Sequence, residues 1–182
     1  MAAQIIEKVD ALFGDRQTTV AKDLKLNIRR LLEDSSLSQE EATLTVIACA
    51  KTLEFNELLG AAREAAIGLG LEAAIIQEAE ENAAIMGMLN IYYRTRHFIE
   101  SYDATAKDDY GAAKLRMTSL ANPAMGKERF EMLAFAVSCI NGCEMCVSSH
   151  EKALLAIGSN REKIHDLVRI AAVLKGLRSL HL

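Results

Sequence analysis

The chain has 182 residues, 51% of them hydrophobic, and 21 basic against 25 acidic side chains give a formal net charge of −4. That is enough apolar material for one domain with a sizeable core, too much for a disordered chain, and no basic excess for a nucleic-acid backbone. The longest uncharged runs, Asn82 to Tyr93 and Met132 to Cys143, stop at 12 residues where a membrane span needs about 18, and Glu7 and Asp10 fall where a signal peptide would be apolar, so a cytoplasmic protein is expected.

Pro123 is the only proline, Ala, Leu, Glu, Lys and Met are abundant, and no stretch alternates with period two, which predicts an all-α fold. Ser38-Gln-Glu-Glu41 fits a capping box, in which a serine and a glutamate three residues on satisfy each other's backbone amides. Ser159-Asn-Arg-Glu162 fits it again. Leu71, Ile75, Ala79, Ala83, Met86, Leu89 and Tyr93 recur at steps of three and four and predict one face of a long helix. Tyr102 to Gly111 and Ala121 to Ala124 read as connecting loops. The remaining methionines follow helical spacing and read as core.

The chain matches itself at a shift of about 90 residues: Glu41 on Glu131, Cys49 on Cys139 and Gly68 on Gly158, with small slips for Ala83-Ala84 on Ala171-Ala172 and Gly87 on Gly176. This predicts an internal duplication, a non-catalytic unit over about residues 36–100 and a catalytic one over 126–182. At that shift Cys143, Cys146 and His150 face Leu53, Asn56 and Gly60, so the first unit lacks the chemistry.

The chemistry is concentrated in Cys143-Glu-Met-Cys146-Val-Ser-Ser-His150, after Asn141-Gly142, read as a helix-start signal. On a helix, positions 143, 146 and 150 share one face. A thiol at a helix N-terminus feels the positive end of the dipole, and an imidazole one turn on can take or relay its proton. Two thiols at this spacing can also cycle: a thiolate attacks an oxidant, becomes a sulfenic acid, and condenses with its neighbour to a disulfide and water. Zinc is the other reading, with Cys139 joining Cys143, Cys146 and His150 as a fourth ligand, though structural zinc sites gather ligands from two separate turns. Otherwise Cys139, like Cys49, is a small buried apolar residue. His97, His165 and His181 read as surface or helix-end residues. Glu131, 12 residues before Cys143, has two readings: an exposed first-turn carboxylate favoured by the dipole, or one folded back to orient His150.

At these residues the sequence resembles the alkylhydroperoxidase D family, within the carboxymuconolactone decarboxylase-like superfamily. The resemblance includes Ala21-Lys-Asp-Leu-Lys-Leu-Asn27, Ala83-Ala-Ile-Met-Gly-Met-Leu-Asn90, Tyr93-Arg94, Ala121-Asn-Pro123, Phe130-Glu131, Phe135-Ala-Val-Ser138 and Ile140-Asn-Gly-Cys143, in order along most of the chain. It implies a duplicated all-helical fold and a homotrimer. It also implies that Cys146 becomes the sulfenic acid, that Cys143 donates a proton and closes the disulfide, and that His150 and Glu131 relay protons. Met145 departs from the family, which often has a histidine there. The implied substrate is an alkyl hydroperoxide, reduced to an alcohol and water. The implied reductant is a dihydrolipoyl group on an acyltransferase subunit, recharged by lipoamide dehydrogenase, and a peroxiredoxin is a further implied partner.

No bound cofactor is expected, because no Gly-rich turn follows a strand to hold a nicotinamide or flavin. Met145 keeps open a rival, a redox adaptor that passes electrons to a peroxiredoxin and turns over peroxide poorly. A metal-binding structural protein is a second. A decarboxylase, suggested by the superfamily name, is disfavoured by the Cys-x-x-Cys pair.

Overall fold

The computed structural model describes residues 2–181. Among them lie nine α-helices and no strand: α1 Ala2–Phe13, α2 Thr19–Glu33, α3 Gln39–Thr52, α4 Asn56–Gly68, α5 Ala73–Tyr102, α6 Ala106–Tyr110, α7 Lys127–Asn141, α8 Glu144–Ile157 and α9 Arg161–His181. The fold is all-α, as the composition and spacing predict.

Two helices form the centre. Residues 42–50 of α3 and 130–138 of α7 are buried without interruption. A helix apolar on every side belongs inside a protein, and α3 and α7 pack on each other with α5 and α9 against both. Leu44, Ile47, Phe130, Met132 and Leu133 are almost fully buried there. Each such side chain contributes roughly 1.5–3 kcal/mol of hydrophobic stabilisation.

The serine and glutamate of Ser38–Glu41 bond each other's backbone, and this box starts α3. The second box does not form. Asn160 caps α9 instead, its Oδ1 accepting the Lys163 amide at 2.8 Å. Ser159 turns away and donates to Glu128 Oε1 at 2.7 Å, so a capping sequence is diverted by a tertiary carboxylate. The stripe from Ile75 to Tyr93 does lie on one 30-residue helix, α5, although Leu71 precedes its cap Glu72. The expected loop from Tyr102 to Gly111 contains α6, where Asp103 Oδ1 accepts from the Thr105 amide and hydroxyl. A short 3₁₀ turn, Thr118–Leu120, precedes the Ala121–Ala124 loop. That loop is pinned to α5 by Glu78, whose carboxylate takes the Ala124 and Met125 amides at 2.9 and 2.7 Å.

Helix boundaries recur along the chain at a spacing of 88 residues rather than 90. Gln39 and Lys127 begin α3 and α7. Glu54 and Gly142 take positive φ after them, and Gly70 and Gly158 take positive φ after α4 and α8. In this register Cys143, Cys146 and His150 correspond to Phe55, Leu58 and Ala62, not to Leu53, Asn56 and Gly60. The matches of Glu41 on Glu131 and Cys49 on Cys139 are each two residues out of step with the backbone.

Candidate active site

The site is built on the turn between α7 and α8. Asn141 is the last residue of α7 and Gly142 adopts the left-handed conformation (φ 65°) that a side chain would resist. The amides of Gly142 and Cys143 then close back on the carbonyls of Cys139 and Ser138, each at 3.2 Å. Asn-Gly is therefore the stop of one helix rather than the start of the next. Cys143 itself caps α8 in extended conformation, and its Sγ faces the Cys146 amide at 3.4 Å. The two sulfurs are 2.10 Å apart, joined as a disulfide, with Cα atoms 5.3 Å apart. Cys143 is wholly enclosed, whereas Cys146 retains 7% exposure.

The long helix α5 fastens this turn. Arg94 donates to the Asn141 carbonyl. Asn141 Nδ2 donates to Asn90 Oδ1, and Asn90 Nδ2 donates to Ser138 Oγ, both at 2.9 Å. Asn90 is buried, and the sequence reading gave it no role. The signal was there: Asn82 and Asn90 stand four residues either side of Met86, on the face that meets the core. A polar amide on such a face needs partners, and Asn90 finds them at the turn.

His150 follows Cys146 by one turn of α8. Its Nδ1 is 2.6 Å from Glu131 Oε2 and donates to that carboxylate, which leaves Nε2 free to exchange a proton. The other oxygen, Oε1, accepts from Lys127 Nζ at 2.7 Å. Glu131 is buried in α7 and not an exposed first-turn carboxylate. Burial pushes its carboxyl up, but the hydrogen bonds from His150 and Lys127 and their charges outweigh it and hold the group below the usual carboxylate value.

Cys146 and His150 open into a cavity of about 270 Å³. Its walls are largely apolar: Met86, Leu89 and Tyr93 from α5, Met117 and Leu120 from the segment after α6, and Met145 from α8. Asn90 and Ser149 supply polar edges. The methionines are not all core, as their spacing had implied. Met86 and Met132 are, but Met145 is 39% exposed and Met88 also reaches the surface. Met145 fills the place between the cysteines with a thioether, which cannot donate a proton.

The other candidates lie elsewhere. Cys139 lines a separate groove with Ile140, Val168 and Lys175 and is half-buried, not a core residue like Cys49. Burial raises the Cys139 thiol to about 11 and pushes Cys49 higher still, so neither is a ready thiolate. Among the described residues no three His, Cys, Asp or Glu side chains gather as a metal site. His165 is exposed, and His97 Nε2 is 3.8 Å from Glu144 Oε2. His181 ends α9 but packs partly buried against Phe13 and Phe55. No helix of the described residues is long and apolar enough to cross a membrane.

This arrangement can be set beside known proteins. A model of the carboxymuconolactone decarboxylase family matches residues 111–180, the part that holds Cys143, Cys146, His150 and Glu131. A protein of Anaeromyxobacter dehalogenans named alkyl hydroperoxide reductase AhpD is 41% identical over 85% of this chain and 80% of its own length. Proteins of the same name are 39% identical in Mycobacteroides abscessus, over 86% of each chain, and 34% identical in Rhizorhabdus wittichii, over 93% of this chain and 95% of the other. Identity at this level across nearly the whole of both chains places the protein in the alkyl hydroperoxide reductase AhpD family.

Proposed function

We propose that the protein reduces alkyl hydroperoxides through a dithiol–disulfide cycle of Cys146 and Cys143. The observation that carries this is the linked set of groups at one cavity: a cysteine pair at disulfide distance, an imidazole one turn on, and a buried carboxylate on the imidazole's far nitrogen. Cys146 is the attacking thiol because it is the one of the pair that lines the cavity. A thiol with a pKa of about 8.5 is only a few per cent ionised at neutral pH, so a base is needed. His150 takes the thiol proton at Nε2, and Glu131 holds the resulting imidazolium.

The Cys146 thiolate attacks the outer oxygen of the hydroperoxide and breaks the O–O bond. The alkoxide leaves with the proton carried by His150, as an alcohol, and Cys146 is left as the sulfenic acid. The Cys143 thiol then attacks that sulfur; the disulfide forms and water leaves. A dithiol restores the pair by two successive exchanges, itself becoming a disulfide. In the first exchange Cys143 is the leaving thiolate, favoured by the amide of Cys146 and the N-terminus of α8. A dihydrolipoyl group on an acyltransferase subunit, recharged by lipoamide dehydrogenase, is the proposed reductant: it is a slender dithiol that suits a narrow cavity. A peroxiredoxin is a proposed further partner. A dithiol recycled in this way suits a reducing compartment such as the cytoplasm.

Two further features belong to the proposal. The 88-residue recurrence of helix boundaries supports an internal duplication, with the first unit structural and the second catalytic. Met88, Ile91, Phe98 and Tyr102 form an exposed apolar stripe on one face of α5, which supports self-association into a homo-oligomer, a trimer by family resemblance.

The test is steady-state consumption of tert-butyl hydroperoxide with a lipoylated carrier and lipoamide dehydrogenase, with and without a peroxiredoxin. Turnover without the peroxiredoxin is the expected result. Turnover only with it would establish the adaptor role that Met145 leaves open.

A further inference from the structure

Lys127 is the first residue of α7, and its side chain is half exposed. Its ammonium reaches Glu131 Oε1 at 2.7 Å while His150 Nδ1 reaches Oε2 at 2.6 Å. Both oxygens of a buried carboxylate are thus occupied by cationic or N–H donors, one leading inward to Cys146 and one outward to water. The two donors are not equivalent. His150 gives and takes a proton during the reaction, so its charge comes and goes. Lys127 takes no part in that transfer and stays beside the carboxylate.

Among the described residues no other charged group competes for this position. Glu128 on α7 is taken by Ser159 and by Lys163 of α9, and Arg129 pairs with Glu40 of α3. Glu41 of α3 binds Lys163, and Glu78 of α5 binds the Ala124 and Met125 amides. His150 and Lys127 are left as the groups that act on Glu131 from α8 and α7.

We propose that Lys127 is a positioning residue for the proton relay: it keeps Glu131 an anion while His150 is neutral, so that His150 presents Nε2 to the Cys146 thiol. When His150 is neutral, Glu131 would otherwise be a buried carboxylate with one neutral donor, and burial disfavours that charge. A protonated Glu131 would no longer accept from Nδ1–H, and the ring would lose both its orientation and the partner for its imidazolium state. Lys127 prevents this from outside the cavity, without touching the reacting atoms. The inference rests on the peroxidase reading above.

The experiment follows single oxidation of the fully reduced protein by tert-butyl hydroperoxide across pH 4 to 8. It compares the natural chain with Lys127→Met, Lys127→Gln and Lys127→Arg, with Lys152→Met as an exposed control. The rate is lost on the acid side as the His150–Glu131 pair takes up a proton and can no longer accept one from Cys146. Lys127 opposes that uptake, so its removal moves the acid limb to higher pH. A move of about one pH unit is expected, a tenfold change in the ionisation ratio. The rate at pH 8 stays within a few-fold, Lys127→Arg restores the natural profile, and Lys152→Met leaves it unchanged. Lys127→Gln keeps the proposal testable if the Met variant folds poorly. An acid limb at its natural pH in Lys127→Met, with or without a change in melting temperature, overturns the proposal and leaves Lys127 a surface ion pair. A uniform loss at every pH overturns it as well. Full rate in Glu131→Gln at all pH values would instead remove the relay itself, and with it the functional reading on which Lys127 depends.

Discussion

The helix pairs α3–α4 and α7–α8 have lengths within one residue of each other and matching turns, and only the second holds the candidate site. Each first helix is followed by a residue of positive φ, Glu54 or Gly142, and each turn closes with an amide reaching back five residues, Phe55 to Ala50 or Cys143 to Ser138. The difference lies in what covers the second helix. Helix α1 packs on α4 with Ile5, Ile6, Val9 and Phe13, so Leu58, Leu59, Ala61, Ala62, Ala65 and Ala66 are all buried. Helix α8 has no such cover and buries Cys146 and Leu154 alone. Where α4 offers Phe55, Leu58 and Ala62 to a core, α8 offers Cys146 and His150 to a cavity, with Cys143 enclosed behind them. Two similar backbones have been put to different uses by one packing helix and a handful of side chains.

The sharpest way to break this comparison is to change corresponding residues. Cys146→Ser is expected to abolish peroxide consumption while leaving the melting temperature nearly unchanged. Leu58→Ala, its counterpart, is expected to cost about 2–5 kcal/mol of stability and to leave the rate per folded molecule intact. Activity surviving in Cys146→Ser would show that the attacking thiol is misassigned.

Next come the groups behind the thiol. His150→Gln and Glu131→Gln are each expected to lower the oxidation rate by ~10²–10⁴, the usual worth of a general acid–base group. The two should differ in stability. Glu131 lies inside the core, so its loss strands Lys127 and His150 and is expected to cost about 1–3 kcal/mol. The position alone gave no sign of this, since a glutamate five residues into a helix is exposed more often than not. A melting temperature of Glu131→Gln equal to that of the natural chain would mean that the Glu131 pairs contribute nothing to folding.

A smaller effect is expected with pH. The Glu131 carboxyl is held below its unfolded value of about 4.3, so its pairs stabilise the fold fully above that value. The contribution disappears as pH falls through the lower, folded value. Acid unfolding of Glu131→Gln should therefore show less pH dependence below about pH 4.5 than that of the natural chain, and parallel curves would contradict the assignment. The smallest change is Met145→His, which adds a proton donor beside the thiols at an exposed position. It is expected to raise the peroxide rate a few-fold within the ~10²–10⁴ a full acid–base group supplies, and no gain would show that His150 alone suffices.

The all-α class, the Ser38–Glu41 start, the α5 stripe and the Cys-x-x-Cys segment were legible because each depends on residues close in sequence. What failed depended on partners outside the motif itself. Ser159 left its capping role for Glu128, 31 positions away, and Asn141-Gly142 belongs to the helix before it because the turn closes on Ser138. The letter matches at a shift of about 90 fall two residues from the 88-residue recurrence of helix boundaries and positive-φ positions, because identical residues in an Ala-rich chain match without regard to geometry. Asn90 and Lys127 were visible letters whose importance comes only from their partners, Ser138 on α7 for Asn90 and the buried Glu131 one turn along α7 for Lys127.

The central claim is that the Cys143–Cys146 pair, and no other pair of thiols, carries the redox chemistry. The most direct measurement is free-thiol counting with peptide mapping on the fully reduced protein before and after one equivalent of tert-butyl hydroperoxide. Two of the four thiols should disappear, both in the peptide containing Cys143 and Cys146, with Cys49 and Cys139 still free. Loss of Cys139 or Cys49 in their place, or four thiols remaining after the peroxide is consumed, would contradict the account.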